Sequence, residues 1–183
     1  MRVITGTARG RKLATPPGQD VRPTSDMVKE GIFSAIQFEI EGAMVADLFA
    51  GSGQMGIEAL SRGARFCVFS DISRQAQQVV LQNLTHTGLQ KQARVVTMDA
   101  QDLLRTTSDR FDIAFVDPPY NQGLIQKLLE PLVGKMTASG AIICETSRQE
   151  DLPERVGDFA IYRIYRYGKV KVTVYRSTVE EGE

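Results

Sequence analysis

Residues 44–56, MVADLFAGSGQMG, pass from an apolar run through a glycine-rich loop into a segment with the character of a helix. Glycines in such a loop let a ligand approach the backbone, and the helix start presents unpaired N–H groups to an anion. Gly51, Gly53 and Gly56 satisfy the pattern G-x-G-x-x-G, and Asp71 follows about twenty residues later. The stretch predicts an open α/β sheet and, by itself, allows a nicotinamide-dependent oxidoreductase.

The pattern on either side of this stretch predicts the rest of the fold. Strand-like and helix-like segments alternate from residue 44 to residue 146, with strands expected at 44–49, 66–70, 94–98, 111–116 and 141–145. Such alternation favours a mainly parallel sheet with helices on both faces. Residues 159–167 and 169–176 flank Gly168 and predict an antiparallel hairpin at one edge. We therefore expect a Rossmann-like α/β fold with a mainly parallel seven-stranded sheet.

Composition limits the class of protein. The chain has 183 residues, is 42% hydrophobic and has a formal net charge of zero, so it is expected to form one domain with a small appendage and no global field toward nucleic acid. No apolar run approaches membrane-spanning length and the N-terminus lacks a signal core, so we expect a cytoplasmic protein. Cys67 and Cys144 lie in apolar runs and are expected to be core thiols. One histidine and no Cys/His cluster argue against a zinc site.

The first 43 residues form a separate element, and its first 23 residues are basic, with five Arg and Lys against Asp20 alone. We expect a strand or small hairpin around Gly6 and Gly10, then a helix capped by Thr24 or Ser25. We accordingly divide the chain into an extension, 1–43, and a main domain, 44–183. Candidates for phosphate contacts in this extension are Arg9, Arg11, Lys12 and Arg22. The alternative is a solvated basic hairpin.

Asp117-Pro118-Pro119-Tyr120 follows the predicted strand 111–116. Two prolines fix a rigid, extended turn at the carboxyl end of that strand, where open α/β sheets bind their ligands. The Asp117 carboxylate and the Pro118 carbonyl can accept hydrogen bonds, and Tyr120 offers a face for stacking. These groups suit a flat ring that bears an amine. A proline-rich loop without function is the alternative.

Two further aspartates favour S-adenosylmethionine over a nicotinamide cofactor. Asp47 lies four residues before Gly51, where a carboxylate does not help to bind a pyrophosphate but can help to hold an ammonium group. Asp99 ends the third strand and could accept from an adenine amino group. A helix N-cap is the alternative for each aspartate. The candidate cofactor-binding residues are Asp47, Ala50, Gly51, Ser52, Gly53, Asp71, Ile72, Asp99 and Ala100.

Residues 47–53 and 117–120 together resemble the class I S-adenosylmethionine-dependent methyltransferases that modify exocyclic amines. The segments 9–13 (RGRKL), 22–26 (RPTSD) and 58–64 (EALSRGA) narrow the resemblance to the bacterial small-subunit ribosomal RNA guanine-N2 methyltransferase family, over essentially the whole chain. The sequence departs from the family at Asp71, where glutamate is usual, at Lys29, where arginine is common, and at Ser34, where asparagine is common.

The resemblance implies methyl transfer from S-adenosylmethionine to the exocyclic N2 of a guanine in 16S rRNA, with S-adenosylhomocysteine as product and no metal. It implies a monomer that acts on 16S rRNA or on a small-subunit assembly particle, without a membrane. The implied catalytic residues are Asp117, Pro118, Pro119 and Tyr120, and the implied RNA-binding residues are Arg9, Arg11, Lys12 and Arg22. The alternatives left open are a DNA adenine or protein glutamine acceptor, a nicotinamide-dependent oxidoreductase, and an RNA-binding protein with an inactive site.

Overall fold

The computed structural model describes residues 1–17 and 25–179, and its centre is a single twisted sheet. The strand order is β3-β2-β1-β4-β5-β8-β7-β6. The neighbours from β3 to β5 run parallel, and those from β5 to β6 run antiparallel. The bounds are β1 Met44–Leu48, β2 Phe66–Asp71, β3 Ala93–Thr97, β4 Phe111–Val116, β5 Met136–Ser147, β6 Arg155–Val156, β7 Phe159–Tyr167 and β8 Val170–Ser177.

The Rossmann-like α/β fold is confirmed, but the expected strand number is wrong. The described residues form eight strands instead of seven. The additional strand is β6, which has two residues and pairs only with the start of β7. Two residues are too few to show the alternation by which a strand is recognised in a sequence.

The helices are α1 Asp26–Ala35, α2 Gln54–Ser61, α3 Arg74–Thr87, α4 Ala100–Thr106 and α5 Leu124–Val133, with a 3₁₀ turn at Gln90–Gln92. Ser25 caps α1, because its side chain accepts from the Val28 N–H; Thr24, the other candidate cap, lies outside the described residues. Within residues 1–17 and 25–179, no helix has the length and apolar character needed to cross a bilayer.

Helices cover the sheet on both faces. On the first face, α1, α2 and α3 pack with the N-terminal segment in one hydrophobic cluster; on the second face, α4 and α5 pack in another. Strand residues of the first-face cluster include Val45, Phe69, Phe115 and Ile143. The prediction that both cysteines are core thiols is confirmed, since Cys67 and Cys144 are buried.

The N-terminal segment is a loop that is closed by an antiparallel bridge between Arg2 and Lys12. Val3, Ala8 and Leu13 belong to the first-face cluster, so the segment shares the core of the sheet. The boundary between residues 43 and 44 stays a prediction about which part of the chain contacts RNA.

A buried ionic cluster holds this loop to α2. The Glu58 carboxylate accepts from the N–H groups of Ile4 (2.8 Å) and Thr5 (3.0 Å) and pairs with Lys29 Nζ at 3.4 Å. Lys29 is fully buried, and its Nζ donates to the Arg2 carbonyl at 2.6 Å. Burial lowers the pKa of Lys29, and Glu58 opposes this effect. Segment 58–64 therefore has a structural role, because it clamps the N-terminal loop.

Gly6 shows how tightly the loop is clamped. Its φ is +89°, and a Cβ atom there would lie 1.8 Å from the Ser61 carbonyl oxygen. The Ser61 hydroxyl accepts from the Ala8 N–H at 2.9 Å and donates to the Thr5 carbonyl at 2.6 Å. Only glycine fits this close approach of two backbones.

Candidate active site

Four carboxylates lie on one face of four neighbouring strands. Asp71 lies in β2, Asp47 in β1 and Glu145 in β5. Asp117 is the residue that follows β4. Alternate side chains of a strand point to the same face. Each acid comes two residues after a member of the first-face cluster: Phe69, Val45, Phe115 and Ile143. The acids therefore line one edge of the first face.

Asp47 is the deepest of these acids and is 4% exposed. One of its carboxylate oxygens accepts from the Gly56 N–H at 2.9 Å, so it satisfies an unpaired donor in the first turn of α2. Burial raises the pKa of Asp47 to about 7; the bond from Gly56 opposes the shift, and Asp71 adds to it. A cation held beside it would favour the ionised form.

Asp71 fixes the glycine loop. Its Oδ2 accepts from the Gly51 N–H at 3.0 Å, and its Oδ1 accepts from the Ser73 N–H at 2.9 Å. Each carboxylate oxygen has a second lone pair that is available to a ligand hydroxyl. Gly51 and Gly53 have φ values of +56° and +77°, which favour glycine.

Gly56 sets the distance between α2 and the sheet. A Cβ atom at this position would lie 2.3 Å from the Phe69 ring and 2.6 Å from the Cys67 sulfur. The third glycine of the pattern therefore permits close packing of helix against strand. In the preceding loop, Ala50 and Ser52 are buried, and the Ser52 hydroxyl donates to the Met1 sulfur at 3.2 Å.

The remaining cofactor candidates lie beyond β2 and β3. Ile72 is 73% exposed, so it offers an apolar surface beside Asp71. Asp99 caps α4 by accepting from the Gln101 N–H at 2.8 Å, which is the helix-cap alternative for this residue. The Asp99 side chain is exposed, and Ala100 behind it is buried.

The turn after β4 is bound to β5. The Tyr120 hydroxyl donates to Glu145 Oε1 at 2.6 Å. Asn121, with φ +60°, accepts from the Ser147 hydroxyl at 3.0 Å. Pro118 is buried, Pro119 is exposed, and both Asp117 and Tyr120 are partly buried. These contacts hold the tyrosine ring in one place beside the acids.

The sequence pattern does not single out Glu145 as a site residue. It is 6% exposed at the end of the buried run Ile142–Cys144. A carboxylate at that depth requires a polar partner, and this requirement was the signal in the sequence. Burial raises the pKa of Asp117 well above its usual value, and the charges of Glu145 and Asp47 raise it further.

The basic candidates of the N-terminal loop are exposed. Arg9 follows Ala8, which bonds to the far end of α2, roughly 12 Å along that helix from the glycine loop. Arg11 donates to the His86 carbonyl at 3.4 Å, and Lys12 lines a surface hollow of about 620 Å³ beside α3. Arg22 lies outside the described residues.

The edge fits S-adenosylmethionine better than a dinucleotide. Its carboxylates attract the ammonium and sulfonium groups of the former, whereas they repel a pyrophosphate. Gln54, in the first turn of α2, has a buried Oε1 for which the described part of the chain supplies no hydrogen-bond donor. A ligand amine could satisfy it. In residues 1–17 and 25–179, no group of three or more His, Cys, Asp or Glu could hold a metal ion.

Comparisons with known proteins agree with this geometry. Residues 1–176 match the model of the family described as conserved hypothetical protein 95. The chain is 41% identical to "Putative rRNA methyltransferase YlbH" of Bacillus subtilis, over 96% of this chain and 98% of that protein. It is 34% identical to ribosomal RNA small subunit methyltransferase D of Escherichia coli strain K12, over 96% and 89%. A solved structure, "Putative methyltransferase yhhF from Escherichia coli", has a TM-score of 0.86, 34% identity and 97% coverage of both chains.

Proposed function

The chain belongs to the conserved hypothetical protein 95 family and is a relative of small-subunit rRNA methyltransferase D, and from this premise we propose that it methylates the exocyclic N2 of a guanine in 16S rRNA. It is a methyltransferase that acts on ribosomal RNA. The observation that carries the finer proposal is the row of four acids on one face, beside the turn at Asp117–Tyr120 that is bonded to β5.

S-adenosylmethionine, when bound, supplies a methyl group on a positively charged sulfur. We assign Asp47 to its ammonium group, directly or through water, and Asp71 to its ribose hydroxyls. Ile72 and Asp99 would hold the adenine, the first by contact with the ring and the second by accepting from the amine. Ala50, Gly51, Ser52, Gly53 and Ala100 complete the lining. The shorter side chain of Asp71 is consistent with its bonds to the Gly51 and Ser73 N–H groups.

Asp117 and Pro118 orient the acceptor amine. Guanine N2 is a weak nucleophile because its lone pair is delocalised into the ring. If the Asp117 carboxylate and the Pro118 carbonyl accept its two N–H bonds, the lone pair turns toward the methyl donor. Positioning of this kind contributes up to about 7–11 kcal/mol in favourable cases. Pro119 stiffens the turn, and Tyr120 stacks on the base.

The amine releases one proton for each methyl group that it receives. The raised pKa of Asp117 makes its carboxylate a suitable acceptor for that proton, because a stronger base takes it more readily. Glu145 stays hydrogen-bonded to Tyr120 and positions its ring.

The basic loop is assigned to phosphate contacts through Arg9, Arg11, Lys12 and Arg22, and we propose a monomer that uses 16S rRNA or a small-subunit assembly particle as substrate. These contacts would make the affinity fall with salt and carry little sequence information. Naked 16S rRNA and isolated assembly particles, compared as substrates, would show which form is methylated.

The test is transfer of labelled methyl from S-adenosylmethionine to 16S rRNA, with DNA and protein release factors as competing acceptors. Mass spectrometry of the labelled RNA identifies the base and the atom. Asp117→Asn should lose transfer at least about a hundredfold while S-adenosylhomocysteine still binds within roughly tenfold. Asp102→Asn, which removes an exposed carboxylate on α4, is the matched control. Label on DNA, on a release factor or on another atom of the RNA would refute the proposal.

A further inference from the structure

A second surface, between α1 and the last strands, has the chemistry of a nucleic-acid site. It is a groove of about 720 Å³ on the first face of the sheet. We call it the tyrosine–arginine groove, after its residues Tyr162, Arg163, Tyr165, Tyr167 and Arg176.

The register of β7 explains why these side chains share one face. Arg163 and Tyr165 pair with Val174 and Val172, which belong to the first-face cluster. A β-bulge between Ile161 and Arg163 breaks the alternation there and leaves Tyr162 61% exposed at the end of the groove. The helix α1 forms the opposite wall.

Two guanidinium groups lie near the ring of Tyr162. The Cζ atoms of Arg163 and Arg176 are 5.7 Å and 5.1 Å from the centre of its ring. Arg176 also pairs with Glu39 at 2.6 Å, whereas Arg163 has no ion-pair partner within the described part of the chain. An exposed aromatic ring with arginines beside it suits a stacked base and its phosphate.

The groove lies beside the candidate active site on the same face of the sheet, with the buried Val172 between them. Glu145 pairs with Val172 in the sheet, and Val172 pairs with Tyr165, so these three residues lie in one row on the same face. Tyr165 is therefore two strand spacings, roughly 10 Å, from the residue that holds Tyr120. One nucleotide spans about half of that distance or more, so nucleotides next to a base held at the Asp117 turn are within reach of the groove.

We propose that the tyrosine–arginine groove binds unpaired RNA nucleotides that adjoin the methylated base. One base stacks on Tyr162, and Arg163 and Arg176 contact the phosphates on either side. This assignment rests on the proposed function, since it takes the target strand to be RNA. The groove thus adds to the N-terminal loop a second RNA contact, which is specific for single-stranded RNA.

The binding test uses a single-stranded RNA of about twelve nucleotides and a duplex of the same length, measured by fluorescence anisotropy at several salt concentrations. Tyr162→Ala should weaken binding of the single strand roughly tenfold, and Tyr162→Phe, which keeps the ring, should not. Arg163→Ala should reduce the slope of log affinity against log salt by about 0.7. Glu39→Gln should tighten binding up to about threefold, because it frees Arg176.

Arg166→Ala is the matched control, because Arg166 is an exposed arginine of the same strand whose side chain lies on the opposite face of the sheet. Its backbone partner in β8 is Lys171. Equal affinities for Tyr162→Ala, Arg163→Ala and Arg166→Ala would overturn the groove assignment, as would equal weakening of single strand and duplex. Methyl transfer by the wild-type protein to 16S rRNA is measured in the same preparations. Transfer without any effect of the groove variants refutes the groove alone, and absence of transfer refutes the proposed function.

Discussion

Replacing Glu58 by glutamine tests whether the buried ionic cluster holds the N-terminal loop. The substitution keeps the size of the side chain but leaves Lys29, which is fully buried, without its partner at 3.4 Å. The glutamine amide is also a weaker acceptor than the Glu58 carboxylate for the N–H groups of Ile4 and Thr5. Removal of one member of a buried ion pair costs about 3–5 kcal/mol of unfolding free energy. For a chain of this length, that loss lowers Tm by roughly 6–20 °C.

The assay is urea unfolding followed by circular dichroism, with Glu130→Gln, an exposed glutamate on α5, as control. The control should change the free energy of unfolding by less than about 0.5 kcal/mol. Lys29→Met combined with Glu58→Gln should be more stable than Glu58→Gln alone, by about 1 kcal/mol or more, because the fully buried ammonium group is then absent. If the free energy of unfolding of Glu58→Gln lies within about 1 kcal/mol of that of the control, the cluster does not stabilise the fold as argued.

Two further outcomes are expected at the edge. Tyr120→Phe keeps the ring but loses the 2.6 Å bond to Glu145, so kcat for methyl transfer should fall roughly 10–100-fold. The affinity for S-adenosylhomocysteine, measured by calorimetry, should be unchanged. Turnover at the wild-type rate would show that this bond does not position the ring. Burial raises the pKa of Asp47 to about 7, so the protonated form of Asp47 stabilises the ligand-free protein at low pH. This contribution is lost as the pH rises from about 4 to 7. Asp47→Asn should flatten that part of a plot of Tm against pH; an identical plot would exclude Asp47 as its source.

The sequence predicts much of the row of acids because the side chains of a strand alternate between its two faces. Once Val45, Phe69 and Phe115 are taken as core, the aspartates two residues later must share their face. The order of the strands then brings these acids together. Glycine spacing and the two prolines gave the loop and the turn for equally local reasons.

The rest depends on contacts between distant parts of the chain. In the sequence, Glu145 is recognisable only as the end of a strand, since its partner Tyr120 is 25 residues away. The role of segment 58–64 required knowledge of a loop more than 50 residues earlier. Similarly, the β7 sequence YRIYRY does not reveal which arginines face α1, because a bulge interrupts the alternation.

The clamped N-terminal loop has a consequence for the order in which the chain is folded during synthesis. Its anchors lie 53 residues downstream at Ser61 and 69 residues downstream at Asn83, which donates to both the Ala14 and Ser52 carbonyls. At bacterial elongation rates, Asn83 is synthesised on the order of ten seconds after residues 1–14. The N-terminal loop therefore docks only after Asn83 has been made, and until then its buried residues Val3, Ala8 and Leu13 lack the α2 and α3 surfaces against which they pack.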